Sequence, residues 1–137
     1  MRLILDSNIL ISALIRDSKT REIILKSGFE FFHPRIAIEN LNKYKELIIQ
    51  KSGLDELEYE IILKEMVSRI ALIDNAVFLD KLKEANRIMD KIDIEDVVFI
   101  ALALSIQNDG IWTDDSHFQK QKKIKIYRTE DIVDILR

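Results

Sequence analysis

The chain has no cysteine in its 137 residues. That excludes disulfides, thiolate metal sites and cysteine nucleophiles. Histidine occurs twice, as His33 and His117, so an ordinary structural zinc site is excluded as well. No apolar stretch approaches the ~18 residues of a membrane span. After Met1-Arg2, the first apolar run is broken by Asp6 after three residues, so the N-terminus does not read as a signal peptide. A cytoplasmic location without membrane association is the expectation. Proline occurs once and glycine three times, beside abundant Ile, Lys and Glu. Thermophilic proteins show this bias, and AT-rich genomes produce the same one.

No strong positive charge is present either. The formal net charge is −3, where a nucleic-acid binder is usually basic. Net charge is a sum, however, and carboxylates gathered at a metal site would hide basic patches elsewhere. Hydrophobic residues make up 47% and charged residues 33%, the composition of one globular domain over residues 1–137.

What is present alternates between two kinds of pattern. Leu3-Ile4-Leu5 is a short continuous apolar run, as in a strand buried on both faces. Phe29–Phe32, Ala71–Ile73, Ile111–Thr113 and the alternating Ile124–Tyr127 complete five expected strands. Between them lie helical patterns: one starting at Ile9, one at 18–26 capped by Ser18, one from Pro34 towards Gly53, one at 54–70, a charged one at 78–90, an apolar one at 94–107 and a last one from Thr129 to Leu136. Strands alternating with helices predict an α/β fold with a parallel sheet covered on both faces, a three-layer α/β/α sandwich.

In such sheets ligands bind beyond the carboxyl ends of the strands, where strand order reverses. Asp6 follows the first strand, and Asp114 and Asp115 follow the fourth. Asp93 and Asp96 open the apolar helix, and Glu39 lies in the first turns of the helix after the second strand. Taken singly, each has a plainer explanation: Asp6 as a helix cap, Asp93 and Asp96 as first-turn acids, Asp114 and Asp115 as turn residues, Glu39 as a solvated side chain. Their convergence on one edge favours a site. Clustered carboxylates raise each other's pKa unless a cation intervenes. A divalent ion such as Mg²⁺ prefers such oxygen ligands and can activate water against a phosphodiester, with no protein nucleophile required.

These residues carry a resemblance over the whole chain. Leu5-Asp6-Ser7-Asn8 at the first strand, Glu39 in the run from His33, Asp93-Ile94-Glu95-Asp96 before Val97–Ala103, and Thr113-Asp114-Asp115-Ser116-His117-Phe118 are similar to the ordered motifs of PIN domains, which include the toxin ribonucleases of the VapC type. The resemblance implies a central five-stranded parallel sheet, a Mg²⁺ or Mn²⁺ site and cleavage of RNA. It implies Asp6, Asp96 and Asp115 as metal ligands, directly or through water, with Glu39 completing the catalytic set. Asn8 and Thr113 would hold the carboxylates by hydrogen bonds, with Asp93 and Asp114 beside them. Asp96 is preferred to Asp93 for its offset to Ile100-Ala101, and Asp115 to Asp114 for the Thr-x-Asp spacing.

Outside the acids, Lys120, Lys122, Lys123, Lys125 and Arg128 form a basic run that either contacts a phosphate backbone or protects an edge strand. Arg16, Lys19 and Arg21 offer a second such contact. His33 reads as structural; His117 lies beside the acidic motif within reach of substrate. Phe118 and Trp112 read as core. A toxin would have an antitoxin protein as partner, and the helices at 35–50 and 54–70 expose edges that suit a homodimer. Haloacid-dehalogenase-like phosphatases need an aspartate where this chain has Asn8, and response-regulator receivers need paired acids near Asp6. The remaining alternative is a catalytically weak PIN fold serving as a nucleic-acid-binding or scaffold module.

Overall fold

The computed structural model describes residues 1–16, 18–89 and 94–137. Five strands, β1 (Arg2–Leu5), β2 (Glu30–Pro34), β3 (Ile70–Ile73), β4 (Gly110–Trp112) and β5 (Ile126–Tyr127), form one sheet in the order β3-β2-β1-β4-β5. Every pairing is parallel. The helices are α1 (Ser7–Ile15), α2 (Lys19–Lys26), α3 (Arg35–Leu41), α4 (Lys45–Ser52), α5 (Glu56–Val67), α6 (Asn75–Phe78), α7 (Leu82–Met89), α8 (Ile94–Ser105) and α9 (Thr129–Leu136). The expected five-stranded α/β architecture is present. No helix of the described residues is long and apolar enough to cross a membrane.

The strands explain the two cores. Side chains alternate between sheet faces, so Leu3 and Leu5 join the core beneath α1, α2 and α5, while Ile4 joins the core beneath α7 and α8. On β4, Trp112 and Ile111 divide in the same way. Leu3, Ile4 and Leu5 are all fully buried, each contributing roughly 1.5–3 kcal/mol. The apolar run expected at 94–107 forms helix α8 over Ile94–Ser105, with Val97, Phe99, Ile100, Ala101, Leu102 and Ala103 buried.

Three elements differ from expectation. The helix expected from Pro34 to Gly53 is broken by a 3-10 turn at Asn42–Tyr44, between α3 and α4. Asn42 and Tyr44 are weak helix formers, and the break falls on them. The charged helix at 78–90 is likewise interrupted by a 3-10 turn at Leu79–Lys81. β5 is shorter than its alternating pattern, because the Gln121 amide holds Ile124 in a turn. Gln121 Nε2 donates to the carbonyls of Phe118 (3.0 Å) and Ile124 (2.8 Å), and Ile124 N–H donates to Gln121 Oε1 (2.8 Å).

The topology places the site. The chain winds from β1 to β2 and β3, then crosses to β4 on the other side of β1. Strand order therefore reverses between β1 and β4, and a crevice opens beyond their carboxyl ends. Pairing persists to its rim, where Asp6 N–H donates to the Trp112 carbonyl at 3.1 Å.

Candidate metal centre

Asp6 stands at the N-cap of α1, where the Ser7 and Asn8 amides approach its carboxylate without a well-formed cap hydrogen bond. Its carboxylate turns to β4 instead. The fully buried Thr113 donates from Oγ1 to Asp6 Oδ2 at 2.7 Å and accepts the Asp115 N–H at 3.0 Å. One hydroxyl thus ties the acid after β1 to the acid after β4. Burial raises the Asp6 pKa above its ordinary value, against the Thr113 hydrogen bond; the Asp115 charge raises it further, and the Asn8 and Ser7 amides pull it down. A buried carboxylate beside a second one is a site that a cation would relieve.

The adjacent acids Asp114 and Asp115 part company here. Asp114 accepts Thr129 N–H (2.8 Å) and Thr129 Oγ1–H (2.7 Å), which fastens the β4 end to α9. Thr129 Oγ1 also accepts from Trp112 Nε1 at 3.0 Å. Asp115 lies instead near Asp96 and His117. One ligand atom each from Asp96, Asp115 and His117 lie within 4.8 Å of one another. The donor set of carboxylate oxygens and an imidazole fits a divalent ion.

A cavity of about 300 Å³ opens on the same edge. Asp6, Asn8 and Asp96 line it with Asn40, Tyr44 and Phe99. Acidic and apolar walls therefore meet in one pocket. Glu39 is exposed on α3 and is not among the lining residues; the next residue, Asn40, is. The Asn8 side chain is exposed at the rim and makes no hydrogen bond to a described residue. Asp93 lies outside the described residues.

Behind the site, His33 is fully buried at the end of β2. Its Nδ1 is 2.8 Å from the Leu5 carbonyl, so that nitrogen carries the proton and donates. The ring lies 5.5 Å from that of Phe99, and Nε2 has no partner among the described residues. Burial outweighs the Leu5 hydrogen bond and lowers the pKa to about 4, so His33 is neutral at pH 7. It braces the strand end that delivers Asp6.

The basic residues separate as well. Lys120, Lys122, Lys123 and Arg16 are exposed. Arg21 is engaged in the fold: its guanidinium donates to the Ala13 (2.7 Å) and Leu14 (3.3 Å) carbonyls at the end of α1. Lys19 pairs with Glu22 at 3.4 Å. Phe118 and Trp112 are both core.

Sequence reasoning did not place Asn40 at the cavity or His117 with Asp96 and Asp115. The signal for His117 was its position two residues after a strand-end aspartate. Asn40 gave none, because its direction depends on where α3 stops.

No curated protein matches the chain. The family model described as "PIN domain" matches residues 4–132, a span that includes every strand from β2 to β5 and all the acids of the crevice. With its parallel sheet in the order β3-β2-β1-β4-β5 and its acids at the β1/β4 reversal, the chain belongs to the PIN-domain family.

Proposed function

We propose that this PIN domain is a metal-dependent endoribonuclease whose catalytic residues are Asp6, Asp96 and Asp115, with Glu39 as an outer member. The observation that carries the reading is the Thr113 hydroxyl joining Asp6 to Asp115 at the strand reversal. A buried Asp6 carboxylate with the Asp115 charge beside it costs stability in a protein that does not use it. Family membership supports nuclease chemistry, and the donor set of Asp96, Asp115 and His117 supports a divalent ion.

When bound, Mg²⁺ or Mn²⁺ would supply an activated water and charge stabilisation for a phosphodiester. Asp6, Asp96 and Asp115 would hold the ion; Thr113 keeps Asp6 and Asp115 in register. Lys120, Lys122, Lys123 and Arg16 would hold the RNA backbone outside the crevice. A toxin of the VapC type, with an antitoxin protein as partner, is the finer form of this reading. So is a homodimer: Leu47 (47% exposed), Leu57 (70%) and Ile61 (58%) give α4 and α5 an apolar outer face. Sedimentation of the pure chain as a monomer would remove the pairing.

The deciding experiment is cleavage of a mixed RNA pool with Mn²⁺ or Mg²⁺ and with EDTA, using wild type and Asp6→Asn. The expected result is cutting that requires the ion and falls more than about hundredfold in Asp6→Asn, with an unchanged circular dichroism spectrum. An Asp6→Asn variant as active as wild type would remove Asp6 from the site. Metal-loaded, folded wild type that binds the pool without cutting it would favour the binding-module alternative.

A further inference from the structure

We propose that His117 is a ligand of the metal centre, its imidazole joining Asp96 and Asp115 in a mixed nitrogen–oxygen site that prefers Mn²⁺ to Mg²⁺. The proposal rests on the metal-centre reading above and adds a nitrogen donor to the carboxylates.

The geometry comes first. His117 brings a ring nitrogen within 4.8 Å of ligand oxygens of both Asp96 and Asp115. Its backbone is fixed in place, since His117 N–H donates to Asp115 Oδ1 at 2.9 Å. Among the described residues its ring makes no hydrogen bond: Nδ1 lies 3.6 Å from the same Oδ1, close enough for attraction but beyond a hydrogen bond. The side chain is 53% exposed, so packing does not require an imidazole here. The turn closes through the backbone N–H, which any residue but proline supplies. His33, fully buried with Nδ1 on the Leu5 carbonyl, shows the opposite arrangement.

The chemistry follows from the donor. Mg²⁺ is a hard ion that takes oxygen ligands and water and gains little from imidazole. First-row divalent ions accept nitrogen more readily, and Mn²⁺ combines that with a taste for carboxylate. One imidazole among carboxylates therefore tilts selectivity towards Mn²⁺.

The test uses tag-free protein, stripped by chelator and titrated with Mn²⁺. Electron paramagnetic resonance gives the affinity, electron spin-echo modulation reports ¹⁴N coupling, and Mg²⁺ competition gives the selectivity. None of the three readouts depends on catalysis. The chain has two histidines and His33 is sealed in the core, so a histidine coupling has one source. Wild type is expected to show ¹⁴N coupling to bound Mn²⁺. His117→Ala should lose it, with Mn²⁺ affinity lower by about tenfold or more. His117→Asp should also lose the coupling while restoring ion binding, with the balance moved towards Mg²⁺. Bound Mn²⁺ without nitrogen coupling in wild type, or coupling that persists in His117→Ala, would overturn the proposal and leave the carboxylate centre standing. Absence of any bound Mn²⁺ would overturn both.

Discussion

Single residues here are assigned by where their polar atoms go. Thr113 shows this at the site, and His33 shows it behind. Burial holds His33 at a pKa of about 4, against an ordinary value of 6.5. Since the folded value is depressed, the neutral ring favours the fold fully above pH 6.5, and that contribution disappears as pH falls towards 4. The difference amounts to roughly 3 kcal/mol between pH 7 and pH 4. A His33→Phe variant keeps a ring beside Phe99 but loses both the proton site and the hydrogen bond to Leu5. Its stability at pH 7 should be lower, yet the gap to wild type should narrow as pH falls through that window. Parallel curves in urea unfolding from pH 7 to 4 would show that His33 does not titrate on unfolding. At this scale the sequence grouped Asp6, Glu39, Asp96 and Asp115, with Asn8, Thr113, Asp93 and Asp114 beside them; the structure joins Asp6 to Thr113 and brings Asp96 near Asp115. Motif spacing preferred Asp115 to Asp114, but it gave no partner for Asp114, because that partner, Thr129, is 15 residues away.

Among the elements, β4 and β5 carry the most consequence for the site, because Thr113 and Asp115 follow β4 directly. Gly110 opens β4 at φ +148°, and a Cβ there would meet the Lys125 carbonyl oxygen at 2.5 Å and Tyr127 Cε2 at 2.9 Å. Backbone and a packed ring cannot both yield. Gly110→Ala should cost about 3 kcal/mol or more and loosen the β5 edge. Gly28 also has positive φ, at +77°, but open space around it. Gly28→Ala should cost only about 1 kcal/mol, so the pair separates steric contact from backbone strain. Equal denaturation midpoints for the two variants would refute the β4–β5 contact as the cause. Strands were legible because short apolar runs bounded by polar residues have few other uses. Helix continuity was not: the apolar stripe from Ile36 to Ile48 suits one helix, and it outweighed the weak helix propensity of Asn42 and Tyr44, where the 3-10 turn falls.

For the molecule as a whole, charge has to be read by position. A net charge of −3 hides the exposed Lys120, Lys122 and Lys123 just beyond the centre. If each neutralises one phosphate of a single strand, replacing all three with alanine should reduce the slope of log binding constant against log salt by about 2. The comparison should be made on uncleaved RNA in EDTA, where the centre holds no ion. An unchanged slope would return these lysines to the alternative of a solvated, protected edge. The alternation of strands with helices, the two-faced burial of β1 and the placing of Asp6 and Asp115 at strand ends were legible in the sequence itself. They rest on local periodicity and on the rule that parallel strands require crossovers. Tertiary structure alone decided that Thr113 takes the Asp6 carboxylate and the Asp115 backbone N–H together, that Asp114 serves α9, that Asn40 rather than Glu39 lines the cavity, and that His117 comes within 4.8 Å of Asp96. Each of these depends on contacts between segments far apart in the chain, and their distances are set only when the sheet and its helices pack.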